Sequence, residues 1–299
     1  MGLSGCIVET HGTDSGLEGS LRIDGSNTLL PNTAAVAELF QWENNQTRVA
    51  VQDSGTGAGF EKFCTGETDM QNASREITDS EESLCADNDV EWIELEVVLD
   101  GIAIFKHPEN DWCDELTVDQ LGDLWERNSE IETWSDLDDD WPDEELSLYG
   151  RDSASGTFDY FTEQITGTAG NIRQDYSGTP DTNQIVSGVS GSRYAVGFGG
   201  AGYYYENEDD LDLIAVDDGD GGVEPTRETI ESEEYQPLTR PMYLYAKPDE
   251  LEDELYREFL RFYLDNTQET AREVGFYAVP DETIDAQHEK LDEYREGER

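Results

Sequence analysis

Leu146-Ser147-Leu148-Tyr149-Gly150-Arg151-Asp152-Ser153-Ala154-Ser155-Gly156-Thr157-Phe158 is the stretch that decides the fold. Residues 146–149 read as a short strand, and 150–157 as a turn of small and hydroxyl residues. Phe158, Phe161 and Ile165 then start a helical face. The same order occurs twice upstream. Leu21-Arg22-Ile23-Asp24-Gly25 leads through Ser26-Asn27-Thr28 to a helix with Pro31 in its first turn, where proline is favoured. Arg48-Val49-Ala50-Val51-Gln52 leads through Ser54-Gly55-Thr56-Gly57-Ala58-Gly59 to a helix expected to begin at Phe60. Three strand–turn–helix units imply an α/β fold with mainly parallel strands.

The rest of the chain continues this pattern. Val97 to Phe105 is an apolar segment, and Val118 to Trp125 a helix that Thr117 can cap. Ala195 to Phe198 and Arg240 to Tyr245 read as strands, and Leu251 to Leu264 as an amphipathic helix. Asp217 to Gly222 lacks the ligand order of a calcium loop and reads as a solvated turn.

At 299 residues the chain has room for two domains. Asp and Glu number 71 against 18 Lys and Arg, a net charge of −53. That charge excludes nucleic-acid binding, which needs a basic face, and electrostatic docking on anionic lipid. No apolar run approaches the roughly 20 residues of a spanning helix. Disorder is excluded as well, because hydrophobic residues are 35% and fall in periodic segments. The basic residues include only four lysines, Lys62, Lys106, Lys247 and Lys290. An acidic, lysine-poor surface points to a salt-loving source.

Leu3-Ser4-Gly5-Cys6 resembles a lipobox, which makes Cys6 a candidate lipid anchor and residues 1–19 a tether; a chance four-residue match is the alternative. Cys64, Cys85 and Cys113 form no CxxC pair, which argues against structural zinc. Cys64 and Cys85 are the nearest pair for a disulfide outside the cytosol. A buried free thiol at each position fits the sequence equally well.

Each Ser/Thr/Gly turn precedes a helix, whose first N–H groups are unpaired and carry the positive end of its dipole. Such ends bind anions. Ser26, Thr28, Thr56, Ser155 and Thr157 can add hydroxyl donors. Arg75, in Asn72-Ala73-Ser74-Arg75, and Arg151 offer planar forks suited to a tetrahedral oxyanion. Taken singly, such a turn is more often just a helix cap, and an arginine in an acidic chain more often a surface ion-pair partner; three turns with two arginines shift the balance.

Gly25-Ser26-Asn27-Thr28-Leu29-Leu30-Pro31, Ser54 to Phe60, Ala73-Ser74-Arg75, Asp100 to Ala103, Leu116 to Leu121 and Tyr149 to Phe158 follow one another in an order similar to that of the phosphate-binding proteins of ABC-type phosphate importers. The resemblance runs from about Leu21 to the C-terminus. It implies a type II periplasmic-binding-protein fold with a ligand cleft between two α/β lobes. The expected lobes are 20–99 with 241–299, and 100–240, without one continuous sheet through both. It also implies ligand contacts at Thr28, Leu29, Thr56, Arg151, Ser155, Gly156 and Thr157, with Ser26 and Ser74 in the same turns. Well-known members have an aspartate after the serine of the third motif, which accepts the phosphate proton. Here Arg75 stands there and is expected to touch the ligand, leaving Asp100 and Asp152 as candidate acceptors. The implied protein is a monomeric extracytoplasmic receptor for inorganic phosphate. It needs no cofactor or metal and delivers to the membrane subunits of a permease.

Three other readings compete. The same turns would serve a receptor for sulfate, molybdate or tungstate. A phosphatase would need a nucleophile with a base, or metal ligands, and His11, His107 and His288 show no such spacing. The third is an acidic surface protein without a ligand.

Self-repulsion should destabilise the fold in dilute buffer, and molar salt, with a Debye length of about 3 Å, should screen it. The thermal unfolding midpoint should therefore rise steadily with salt concentration; a midpoint indifferent to salt would contradict this reading of the charge.

Overall fold

A computed structural model describes residues 16–297. Cys6 and most of the expected tether lie outside the described residues. In chain order the elements are β1 (Gly19–Gly25), α1 (Leu30–Glu43), β2 (Thr47–Val51), α2 (Thr56–Cys64), β3 (Met70–Ala73), α3 (Asp79–Asp87), β4 (Ile93–Lys106), β5 (Glu115–Thr117), α4 (Val118–Trp125), β6 (Ser147–Arg151) and α5 (Gly156–Thr166). There follow β7 (Ser177–Thr179), α6 (Thr182–Val189), β8 (Ala195–Gly200), α7 (Gly202–Tyr205), β9 (Asp212–Asp217), β10 (Gly222–Val223), α8 (Arg227–Glu231), β11 (Thr239–Ala246), α9 (Glu254–Glu273) and α10 (Asp281–Glu296).

Strand pairing runs β2-β1-β3-β11-β4-β8-β6-β7. β1 pairs in parallel with β2 and β3, and β6 with β7 and β8, as strand–turn–helix units require. β4 joins these two groups. Its residues 93–101 pair with β11, and its residues 102–106 with β8. Every position from Val97 to Lys106 is buried, which explains why the segment is apolar on both faces apart from Asp100 and Lys106, since a strand covered on both sides need not alternate. The crossing at Asp100-Gly101 is thus no break. It lies inside one strand whose two halves pair with different neighbours, β11 before the crossing and β8 after it. Gly101 sits so close to α8 that a Cβ would come within 2.6 Å of Ile230 Cδ1.

α2 begins at Thr56, four residues before the expected Phe60. The glycines that read as a turn are helical because the helix meets β1 end-on. A Cβ on Gly59 would lie 2.5 Å from Gly25 Cα and 2.1 Å from Gln71 Oε1. Gly55, at φ 94°, supplies the positive backbone angle that launches the helix.

α1 is held by a buried polar network. Asn32 Nδ2 donates to Thr267 Oγ1 at 3.0 Å and Asn32 Oδ1 accepts from Thr270 at 2.7 Å. The Thr33 hydroxyl donates to Asn72 at 3.0 Å and shares a bond with the Tyr263 hydroxyl at 2.8 Å. These bonds lock the first turn of α1 against β3 and α9; orphaning one buried partner would cost about 1–3 kcal/mol. Cys64 and Cys85 form a disulfide that ties the end of α2 to α3, which decides between the two readings of these cysteines. By loop-closure entropy it stabilises on the order of 3 kcal/mol. Cys113 is a buried free thiol, and burial pushes its pKa up to about 12.

Glu96 lies on β4 opposite Tyr243 of β11. Burial, then the charges of Glu233 and Glu94, push its carboxyl up to about 6 from an ordinary 4.5. A carboxyl with a raised folded-state pKa binds its proton more tightly in the fold. It therefore costs nothing below pH 4.5, and it costs stability progressively as pH rises through about 6. Glu96→Gln should raise the melting midpoint at pH 7 and leave it unchanged near pH 4. An equal effect at both pH values would contradict this account.

Candidate functional site

The starts of α1, α2 and α5 converge where the two parts of the sheet meet. Asn27, in the turn before α1, donates through Nδ2 to the Ala154 carbonyl at 3.0 Å, in the turn before α5. Thr28 is equally close: a Cβ on Gly156 would fall 2.5 Å from its Oγ1. These contacts divide the cleft into two cavities that share Asn27, Ala154, Ser155 and Gly156.

The smaller cavity, about 230 Å³, is lined by Thr28, Asp100, Arg151, Ser155, Gly156, Thr157 and Thr182 among others. Arg151 donates from Nε to Ser155 Oγ at 3.1 Å and from Nη1 to Thr182 Oγ1 at 2.7 Å. Ser155 also caps α5 by accepting from the Thr157 N–H at 3.2 Å. A hydroxyl that accepts still has its own proton to donate. The arginine therefore orients two further donors while its own charge is left uncompensated. Among the described residues Arg151 enters no salt bridge, whereas Arg22, Arg75, Arg173 and Arg240 each face a carboxylate. In a chain of net charge −53 that isolation keeps the cleft attractive to an anion.

The larger cavity, about 610 Å³, is lined by Thr56, Ser74, Arg75, Tyr160, Arg240 and others. Thr56 and Ser74 share a hydroxyl bond at 3.0 Å, joining the start of α2 to the end of β3. Arg75 is engaged within its own chain. Its guanidinium grips Glu81 with both Nη atoms, at 2.8 and 2.9 Å, and donates to the Glu76 carbonyl at 2.9 Å. Burial would push the Glu81 carboxyl up, but Arg75 and Thr78 outweigh it and hold it below its usual range. Arg75 thus braces the third turn against α3. It lines the cleft, but its fork is engaged by an acid of its own chain.

The two candidate acceptors separate. Asp100 is buried in the smaller cavity; Asp152 accepts from the Ala154 N–H at 3.1 Å and lines neither cavity. Ser26 and Leu29 are buried with 1% and 0% exposure and line neither cavity, so their side chains do not face the cleft.

Three residues escape the sequence reading. Asn27 lies inside a quoted turn but reads as filler. Thr182 is visible as the first residue of a helix, without sign that Arg151 reaches it. Arg240 reads only as a strand residue, yet it donates from Nε and Nη2 to Asp100 Oδ2 at 3.2 and 2.9 Å. The register that sets Arg240 opposite Asp100 follows from the β4–β11 pairing, which no local pattern announces.

The chain matches the PBP superfamily domain over residues 10–267. It is 40% identical to protein SphX of Synechocystis over 285 residues, covering 94% of this chain and 83% of that protein. With the phosphate-binding protein PstS of Staphylococcus saprophyticus it shares 36% identity over 283 residues, covering 94% of this chain and 87% of that protein. Its fold superposes on the crystal structure of a possible phosphate-binding protein from Planctomyces limnophilus with a TM-score of 0.82 at 37% identity, covering 93% and 99% of the two chains. The matches span nearly all of the fold and every turn of the cleft, and by them the chain belongs to the PBP superfamily and, within it, to the family of phosphate-binding proteins.

Proposed function

We propose that the protein captures inorganic phosphate in the cleft and delivers it to the membrane subunits of an ABC-type phosphate importer; it is a receptor, not an enzyme. The observation that carries this reading is Arg151, a cleft arginine without an acidic partner among the described residues, set at the start of α5 beside two oriented hydroxyls. Main-chain N–H groups at Thr28 and Leu29, Thr56 and Gly156, with the Thr157 hydroxyl, would surround the anion, each helix end contributing about 0.3–1 kcal/mol where solvent has access. The anion would part Asn27 from Ala154 and merge the two cavities. Ser74 orients Thr56, Arg75 holds its turn through Glu81, and Ser26 supports the first turn from beneath. Asp100 is the acceptor for the ligand's proton, and Asp152 shapes its turn.

The proposed moving lobes are 20–99 with 241–299, and 100–240, flexing about β4 and β11. The disulfide supports a place outside the cytoplasm, since such bonds persist in oxidising compartments. A lipid anchor at Cys6, a monomeric state and a salt-rich habitat complete the proposal; the last rests on the net charge of −53.

Arg151→Ala should abolish measurable phosphate binding while leaving thermal unfolding nearly unchanged, because no buried acid depends on Arg151. Two charge-assisted bonds, each about 1.5–3 kcal/mol, correspond to a loss of roughly two to four orders of magnitude in affinity. Titration calorimetry in molar salt measures it. Near-normal affinity in this variant would remove Arg151 from the site.

A further inference from the structure

We propose that Arg240 is the second arginine of the site and acts as a positioning residue that sets selectivity for phosphate through Asp100. The inference rests on the phosphate-receptor reading above.

Arg240 and Asp100 are both buried, on facing strands at the point where β4 passes from one part of the sheet to the other. Both bonds from Arg240 fall on one carboxylate oxygen, Oδ2. Asp100 Oδ1 accepts no hydrogen bond among the described residues, and Asp100 lines the cavity that holds Arg151. One oxygen is therefore clamped and the other is free to accept. Inorganic phosphate keeps a proton that sulfate lacks. A free carboxylate oxygen can accept that proton, whereas against sulfate it makes a repulsive, unpaired contact.

The remaining donors of Arg240 reach both sides of the cleft. Nη1 donates to the Ser74 carbonyl and Nη2 to the Gly156 carbonyl, each at 3.3 Å. Ser74 follows the end of β3, and Gly156 opens α5. The guanidinium also lies over the Tyr160 ring at 4.4 Å, and the Tyr160 hydroxyl donates to the Pro237 and Thr239 carbonyls at 2.8 and 2.9 Å. A planar fork with five donors can hold an acid, two carbonyls and an aromatic face together; a lysine ammonium cannot. Arg240 thus ties the acceptor to the turns on both sides of the cleft.

The test is titration of phosphate and of sulfate into the wild-type protein, Arg240→Lys, Arg240→Gln, Asp100→Asn and the double variant Arg240→Gln/Asp100→Asn. Wild-type protein that binds no phosphate would overturn the receptor reading itself. Given wild-type binding, Arg240→Gln and Asp100→Asn should each shrink the phosphate-to-sulfate affinity ratio at least tenfold, with Arg240→Lys in between. The double variant should lose no more than the worse single variant, because both act on one acceptor. It also removes both buried charges, so it keeps the test open if Arg240→Gln alone leaves Asp100 unpaired and fails to fold. A merely structural role would weaken both anions alike. A ratio unchanged in every variant that folds, or losses that multiply in the double variant, would overturn the proposal.

Discussion

The ladder between β4 and β11 is the constraint on which the rest depends. It carries the chain from one part of the sheet to the other without a loop, and it sets Asp100 and Arg240 opposite each other at the base of the cleft. Breaking this pair by removing one partner would leave an uncompensated buried charge, a cost of about 3–5 kcal/mol. The same strands meet α8 through Gly101 and Ile230, and α10 packs on β4. The helix ends of the proposed anion site converge because the strands that launch them are ordered about this ladder.

Electrostatics in this molecule works on two scales. The exterior is strongly acidic and would repel any anion in dilute solution, but in salt that repulsion fades within a few ångströms. What remains is local: helix ends, hydroxyls and Arg151. Most other cleft-side cations are neutralised, Arg75 by Glu81 and Arg240 by Asp100. A cluster of paired charges around one unpaired arginine gives the cleft direction without giving it a large net charge. That arrangement suits a receptor that must bind an anion firmly and still release it.

Local patterns in the amino-acid sequence carry much of this architecture. The strand–turn–helix units from Leu21 and Leu146 and the cap at Thr117 form as they read. What local patterns do not announce is contact between side chains. Gly57-Ala58-Gly59 reads as turn because glycine is a poor helix former, and only the close approach to Gly25 and Gln71 explains why a glycine stands at position 59 within a helix. Arg75 reads as a cleft arginine from its place after Ser74, and nothing in sequence announces that Glu81, six residues away, is its partner. Asp100 is singled out by its place near the crossover, but Arg240, 140 residues distant, emerges only from strand register. Sequence leaves the Cys64–Cys85 bond as one of two readings, and the packing of α2 on α3 decides it.

The central claim is that this cleft takes phosphate in preference to anions of the same shape. The most direct measurement is equilibrium dialysis of the unmodified protein against labelled phosphate in molar chloride, with unlabelled sulfate added in large excess. The account predicts saturable binding of one phosphate per chain that survives the excess of sulfate. Absence of saturable binding, or displacement of phosphate by sulfate at comparable concentrations, would contradict it.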